Sequence, residues 1–399
     1  MNRRHDIDAL RALAFALVIL YHVGMYYVAG WHWHLKSPHE AAWLQVPMRA
    51  LNLWRMDLVF LISGLALGFL QRGQGRGTLL AQRSWRLLLP LGFGMAVVVP
   101  FQAYAQALGN GSIGPGFGNF MLRYLGGGPW PKNAFDGSDF GMTWNHLWYL
   151  PYLWLYTAML VLLLPVLQSA AGLRLRQAFL GLRGAALLLV PVLPLMLWSL
   201  ALWPRFPATH DLVHDAWLHA VYFTLFLYGW WIGTDTGWWG EATRLRWVTL
   251  GLASAAVALH FGLRALVVPT DAVALRVLPR LAADLYLWCA LLAILGWAHL
   301  KLNRPWRWLD WANESVYPWY VLHQTVIIVA VFWLAPLGRG PVVEPALLVV
   351  ATLAVCWGIT AVVRRTSWLR PLFGLKLKRR ELARRPSPAT PACLGANSA

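Results

Sequence analysis

Acidic residues and cysteines are scarce in this chain. Asp and Glu number 16 against 34 Lys and Arg, and only 13% of the residues are charged. A soluble domain of 399 residues carries about a quarter charged residues, so that class is excluded. The three cysteines, Cys289, Cys356 and Cys393, form no spaced pair, which argues against both a disulfide framework and a zinc site. What is abundant is apolar: 59% of residues are hydrophobic, with 26 Trp and 13 Tyr. The expected fold class is all-α, a polytopic membrane protein of about ten transmembrane helices.

The apolar spans fall at roughly 10–29, 51–71, 86–107, 148–168, 184–203, 216–234, 246–263, 281–300, 316–335 and 345–363. The first is too long for a cleavable signal and has no small-residue cleavage site, so it is expected to remain as a helix. An even number of spans puts both termini on one side. Of the 34 Lys and Arg, 23 lie on that side and ten on the other, with Arg11 inside the first span. The imbalance predicts both termini in the cytoplasm. It reads the formal charge of +18 as orientation and contact with membrane lipids, not as nucleic-acid binding. Residues 1–374 form the membrane domain. From Leu375 the chain is basic, then rich in Pro, Ser and Ala, and is expected to be a disordered cytoplasmic tail.

The first span, DIDALRALAFALVILYHVGMYY, carries an arginine and a histidine within its apolar run. Arg11 and His22 are eleven positions apart, close to three turns, so they share one face about 16 Å apart along the axis at ~1.5 Å per residue. Ionisable groups at such depth usually face a polar cavity. The plainer alternative is a snorkelling Arg and a His satisfied by a neighbouring helix.

Further polar residues recur along the chain. Asp57 opens the second span and either pairs with Arg55 or faces a cavity; Ser63-Gly64 follows as a hydroxyl and a close-packing point. Arg83 and Arg86 share a face at the start of the third span. Two guanidiniums there suit a grip on phosphates, or else only the positive-inside bias. The long outer loop, 108–147, leads into Trp144, His146, Trp148 and Tyr149, of which His146 is least like an aromatic belt. An outer run of His210, Asp211, His214 and Asp215 has the chemistry of a cation site or of a plain polar loop. Asp284 can partner Arg280 one turn earlier. The ninth span brings Tyr317, Tyr320 and His323, with Gln324 beside them. A second intramembrane His strengthens the reading of a shared polar interior.

These residues resemble the membrane acyltransferase 3 family over roughly 5–365. Arg11, ten residues and His22 look like its first-helix Arg-x10-His signature. DLVFLISG at 57–64, Arg83-Ser-Trp-Arg86 and YPWYVLHQTVI at 317–327 are similar to its later motifs, in the same order. Many members carry two glutamates in a WSLxxEEQFY stretch, where this chain has WNHLWYLPYLWLY. In this the chain is more like the branch of the glucan-modifying protein C, which resembles a succinyltransferase.

The resemblance implies an O-acyltransferase of a bacterial inner membrane. It would move an acetyl or succinyl group from cytoplasmic acyl-CoA to a hydroxyl of a periplasmic or cell-envelope glycan, with no cofactor besides that donor. On this reading His22 and His323 are catalytic. Arg11, Arg83, Arg86, Asp57, Ser63, His146, Tyr317 and Tyr320 bind substrate or acyl-CoA. The competing class is a transporter or flippase of an acylated sugar or lipid, since buried His and Arg also serve proton relays. No internal repeat and no paired broken helices support that class.

Overall fold

A computed structural model describes residues 3–71, 73–233, 235–268 and 272–377. Among the described residues it is helical throughout, and its single β-bridge joins Val28 to Ala41. Seventeen α-helices follow in chain order. They are α1 (His5–Tyr27), α2 (Gln45–Asn52), α3 (Arg55–Leu70), α4 (Arg76–Phe93), α5 (Pro100–Gly109) and α6 (Phe117–Leu125). Then come α7 (Tyr149–Leu167), α8 (Ala170–Leu180), α9 (Gly184–Leu189), α10 (Val192–Ala201), α11 (Ala216–Ile232) and α12 (Thr236–Arg244). The last five are α13 (Arg246–Leu266), α14 (Val273–Leu302), α15 (Leu309–Leu334), α16 (Gly340–Arg365) and α17 (Leu369–Leu372).

Nine helical stretches among the described residues are long and apolar enough to cross a membrane. The remaining expected span is α11, with 17 residues. At ~1.5 Å per residue it is about 26 Å long, just short of a ~30 Å hydrocarbon core. The apolar side chains of Leu162, Trp333 and Val342 point outward and are more than three-quarters exposed, as expected of surfaces bathed in lipid.

The third span is longer than its apolar core. α4 begins at Arg76, runs on through Pro90 and a single π-turn at Gly94–Val98, and continues as α5. Arg83 and Arg86 therefore sit two turns inside a helix instead of at its start, because the polar residues that precede them are themselves good helix formers. The fifth span is broken at Pro191 into α9 and α10. The long outer loop is a small folded unit. Phe120 and Tyr124 of α6 pack with Phe135 and Ala134 against Ala103 and Ala107 of α5.

Two crossings organise the interior. α3 and α11 meet backbone to backbone. A Cβ at Gly64 would stand 1.9 Å from the Phe226 carbonyl oxygen, and one at Gly229 would stand 1.9 Å from that of Leu61. Only glycine permits this approach, which is the close-packing role expected of Gly64. α1 packs lengthwise on α15, and ion pairs fasten the end that carries the chain's N-terminal residues. Arg3 bonds Asp8 and Asp310, Arg4 bonds Asp6, and His299 of α14 also reaches Asp6. At the same end Glu314 of α15 binds Arg364 and Arg370. Phe373 and Leu375 are buried in the main core. The basic tail beyond residue 377 lies outside the described residues.

Candidate active site

α1, α3, α4, α7 and α15 enclose a cavity of about 530 Å³. Its walls carry five guanidiniums, from Arg3, Arg4, Arg11, Arg83 and Arg86, against one carboxylate, Asp8. Asp8 is bonded to Arg3, and among the described residues none of Arg11, Arg83 and Arg86 is in an ion pair. The buried Nε of Arg83 has no partner at all. Arg3, half-exposed, marks the mouth. The inner end is apolar and aromatic, with Phe15, Tyr149 and Tyr320. A positively lined mouth and an apolar inner end suit an elongated ligand with anionic groups at one end only.

Beyond Tyr320 stands a pair of imidazoles. The Nε2 of His323 lies 3.3 Å from the Nδ1 of His22, with ring centroids 4.9 Å apart. Backbone carbonyls settle the tautomers, because a carbonyl can only accept. His22 Nδ1 is 2.8 Å from the Val18 oxygen, and His323 Nδ1 is 2.9 Å from that of Tyr320, so both Nδ1 atoms carry the proton. His323 Nε2 is then a lone pair that receives part of the His22 N–H. The consequence is specific: His22 Nε2 is a free lone pair on a neutral ring, held in place from the other side.

The structure assigns several of the expected residues different duties. His146 has both nitrogens occupied: Nε2–H donates to the Tyr320 and Val321 carbonyls at 3.1 Å, and Nδ1 accepts from Gln102 at 3.2 Å. Both ring nitrogens of His146 thus have partners within the protein. The Tyr320 hydroxyl donates to the His146 carbonyl at 2.7 Å and that of Tyr317 to the Arg86 carbonyl at 2.8 Å. Their rings line the cavity while their protons are committed elsewhere, so neither is free to polarise a thioester. Ser63 keeps its place in the wall. Its Oγ is 2.5 Å from the Tyr149 hydroxyl, and one of that pair's two protons remains for a ligand. Asp57 does not line the cavity. It is buried at the start of α3, within electrostatic reach of Arg280 and Asp284. It does not pair with Arg55, whereas Arg280 and Asp284 do pair, at 3.0 Å.

A buried chain of hydrogen bonds runs from the His146 side to the outer loops. Gln102 donates to Thr325 and accepts from Gln324 and Asn145. Gln324 also donates to His34, whose other nitrogen meets Gln106 at 2.7 Å. Gln106 donates to Asp136. Burial opposes the charge of Asp136, but His34, the Gln106 amide and His32 outweigh it and hold the carboxyl below its usual range. Each donor meets an acceptor along this chain, which makes it a rigid brace for α15.

The outer polar run His210 to Asp215 fastens a loop. Asp215 accepts from Tyr152, Thr209 and the His210 N–H. Burial pushes the Asp211 carboxyl up, but the N–H groups of His214 and Val213 and the His214 ring prevail and hold it at about 2. Among the described residues no group of three or more His, Cys, Asp or Glu is placed to hold a metal ion.

A family model described as an acyltransferase domain matches residues 4–361, nearly the whole chain and all the walls of this cavity except Arg3. The chain belongs to that family. No curated protein and no solved structure gives a significant match. The protein is thus a membrane acyltransferase. Its family alone does not name the donor, the acceptor or the branch.

Some of this acyltransferase's site was hidden in the sequence. Tyr149 reads as one more belt aromatic, Arg3 and Arg4 as N-terminal topology charges, and Asp8 as a cap for the helix start. Gln102 and Gln106 sit four apart within an apolar helix, which was the available signal for the polar brace.

Proposed function

We propose that this acyltransferase moves an acetyl or succinyl group from acyl-CoA to a hydroxyl of a cell-envelope glycan, in a bacterial inner membrane with both termini cytoplasmic. The observation that carries the reading is the arginine-lined cavity whose wall includes Tyr320; the ring of His323, which meets His22, lies 6.2 Å behind it, and neither imidazole is itself in the lining. Arg11, Arg83 and Arg86 would hold the donor's phosphates, for which unpaired guanidiniums are well suited. The apolar inner half would take the pantetheine arm and lead the thioester toward His22.

The chemistry then needs a base, and His22 Nε2 is the lone pair available. It removes the proton of the acceptor hydroxyl as the oxygen attacks the thioester carbonyl. The tetrahedral adduct collapses, the C–S bond breaks, and the proton on His22 passes to the departing thiolate. The Val18 carbonyl and His323 Nε2, both facing His22 Nδ1–H, stabilise the imidazolium while it lasts. His323 acts through His22 in this scheme and is a positioning residue. The Ser63–Tyr149 pair supplies a hydroxyl proton from the cavity wall to the carbonyl oxygen.

The test is thiol release and ester formation by purified protein in detergent, with acyl-CoA and a glucan acceptor. A transporter needs a sealed membrane to act, whereas turnover in detergent requires an enzyme. His22→Ala is expected to fold and to lose at least about 100-fold in rate, the low end of general-base contributions. Full activity in His22→Ala would remove that residue from the chemistry.

A further inference from the structure

Arg55, near the histidine pair, is a cation that the scheme above leaves without a task. It opens α3, on the far side of the histidines from the arginine-lined mouth, and is only 7% exposed. Its guanidinium carbon lies over the Tyr21 ring, 3.5 Å from the centroid. Its single hydrogen bond goes from Nη2 to Asn52 at 3.3 Å, and Nε and Nη1 are buried without partners. Among the described residues no carboxylate pairs with it. The titratable groups facing it are Tyr21 and His22 on α1, Tyr222 on α11, His323 on α15 and His210 in the outer loop. None of these brings a negative charge. A buried guanidinium with no counter-charge is costly to keep, and such cations commonly mark a place where an anion binds.

We propose that Arg55 is an anion subsite of the active site, and that it holds a carboxylate carried by a substrate. This rests on the acyl-transfer reading above. Arg11, Arg83 and Arg86 face the donor's phosphates at one end; Arg55 stands beyond the reacting histidines at the other. A substrate pair that satisfies both ends bears a second negative charge past the thioester carbonyl. That charge is either the free end of a dicarboxylic acyl group or an acidic group on the acceptor. Arg55 thereby sets substrate preference and takes no part in proton transfer.

The experiment compares wild type with Arg55→Met and Arg55→Lys. Succinyl-CoA and acetyl-CoA serve as donors, and a neutral glucan and a uronic-acid-bearing glycan as acceptors. If the carboxylate rides on the acyl group, Arg55→Met lowers the ratio of kcat/KM for succinyl-CoA to that for acetyl-CoA at least tenfold with either acceptor. If it rides on the acceptor, the ratio for acidic over neutral acceptor falls at least tenfold with either donor. Arg55→Lys keeps the charge and loses the planar geometry, so its ratio falls by less; it also carries the test should the Met variant fail to fold. Unchanged ratios in both comparisons overturn the subsite, whether the absolute rates fall or not. Failure of wild type to turn over any acyl-CoA overturns the acyltransfer reading itself, a separate outcome.

Discussion

Arg83 offers the most incisive perturbation of the donor site. Its guanidinium lines the cavity, enters no ion pair and leaves Nε unpartnered. Two consequences follow for Arg83→Ala. In the ligand-free protein little is lost, because the half-buried guanidinium makes no ion pair and its buried Nε no hydrogen bond, so thermal stability holds or rises. In the donor complex a charge-assisted contact to phosphate disappears, which contributes about 1.5–3 kcal/mol. At ~1.4 kcal/mol per tenfold, donor affinity weakens by roughly 10- to 150-fold. Arg86→Ala behaves differently. Its Nε donates to the Gly374 carbonyl at 3.1 Å, so the variant also loosens the segment after α17 and loses stability. The assay is equilibrium binding of a non-transferable thioether analogue of acyl-CoA, beside a thermal melt in detergent. Repeating the binding with the 3′-dephospho analogue locates the contact: the Arg83→Ala penalty vanishes if Arg83 grips that phosphate and persists if it grips the diphosphate. Donor affinity within threefold of wild type, or a clear fall in thermal stability, would refute the reasoning and leave Arg83 as a topology charge.

Other outcomes are expected elsewhere. Gly229→Ala places a methyl 1.9 Å from the Leu61 oxygen, so α3 and α11 must part; the folded, monodisperse fraction in size-exclusion chromatography should drop sharply. Gln102→Leu strips partners from His146, Asn145, Gln324 and Thr325, at about 1–3 kcal/mol for each buried group left unpaired. A thermal melt unchanged in that variant would deny the brace its role. Ser63→Ala removes one hydroxyl of the cavity pair, and lower kcat with little change in donor binding is the expected kinetic pattern.

How much of this was legible beforehand differs by element. Composition dictated a helical membrane protein, since so apolar a chain can satisfy its backbone in lipid by helices. The eleven-residue spacing of Arg11 and His22 on one helix placed a cation and an imidazole on a single face without any knowledge of neighbours. Arg83 and Arg86 share a wall for the same reason, although their helix starts earlier than its apolar core suggested. The family motifs in their order carried the rest of the early reading, and the match over residues 4–361 supports its general form.

Only the tertiary structure decided what each polar side chain does. Side chains on one helix keep fixed relations along the sequence, but hydrogen bonds between helices depend on how the helices are rotated and staggered. Thus His22 and His323, 301 positions apart, meet at 3.3 Å, while His146 spends both nitrogens on a brace. Tyr317 and Tyr320 turn their hydroxyls to backbone carbonyls, Asp57 is not in the cavity wall, and Arg55 is left without a counter-charge among the described residues. Residue types determined that polar groups would gather inside the bundle; packing alone determined which of them were used up in holding it together and which were left free to meet a substrate.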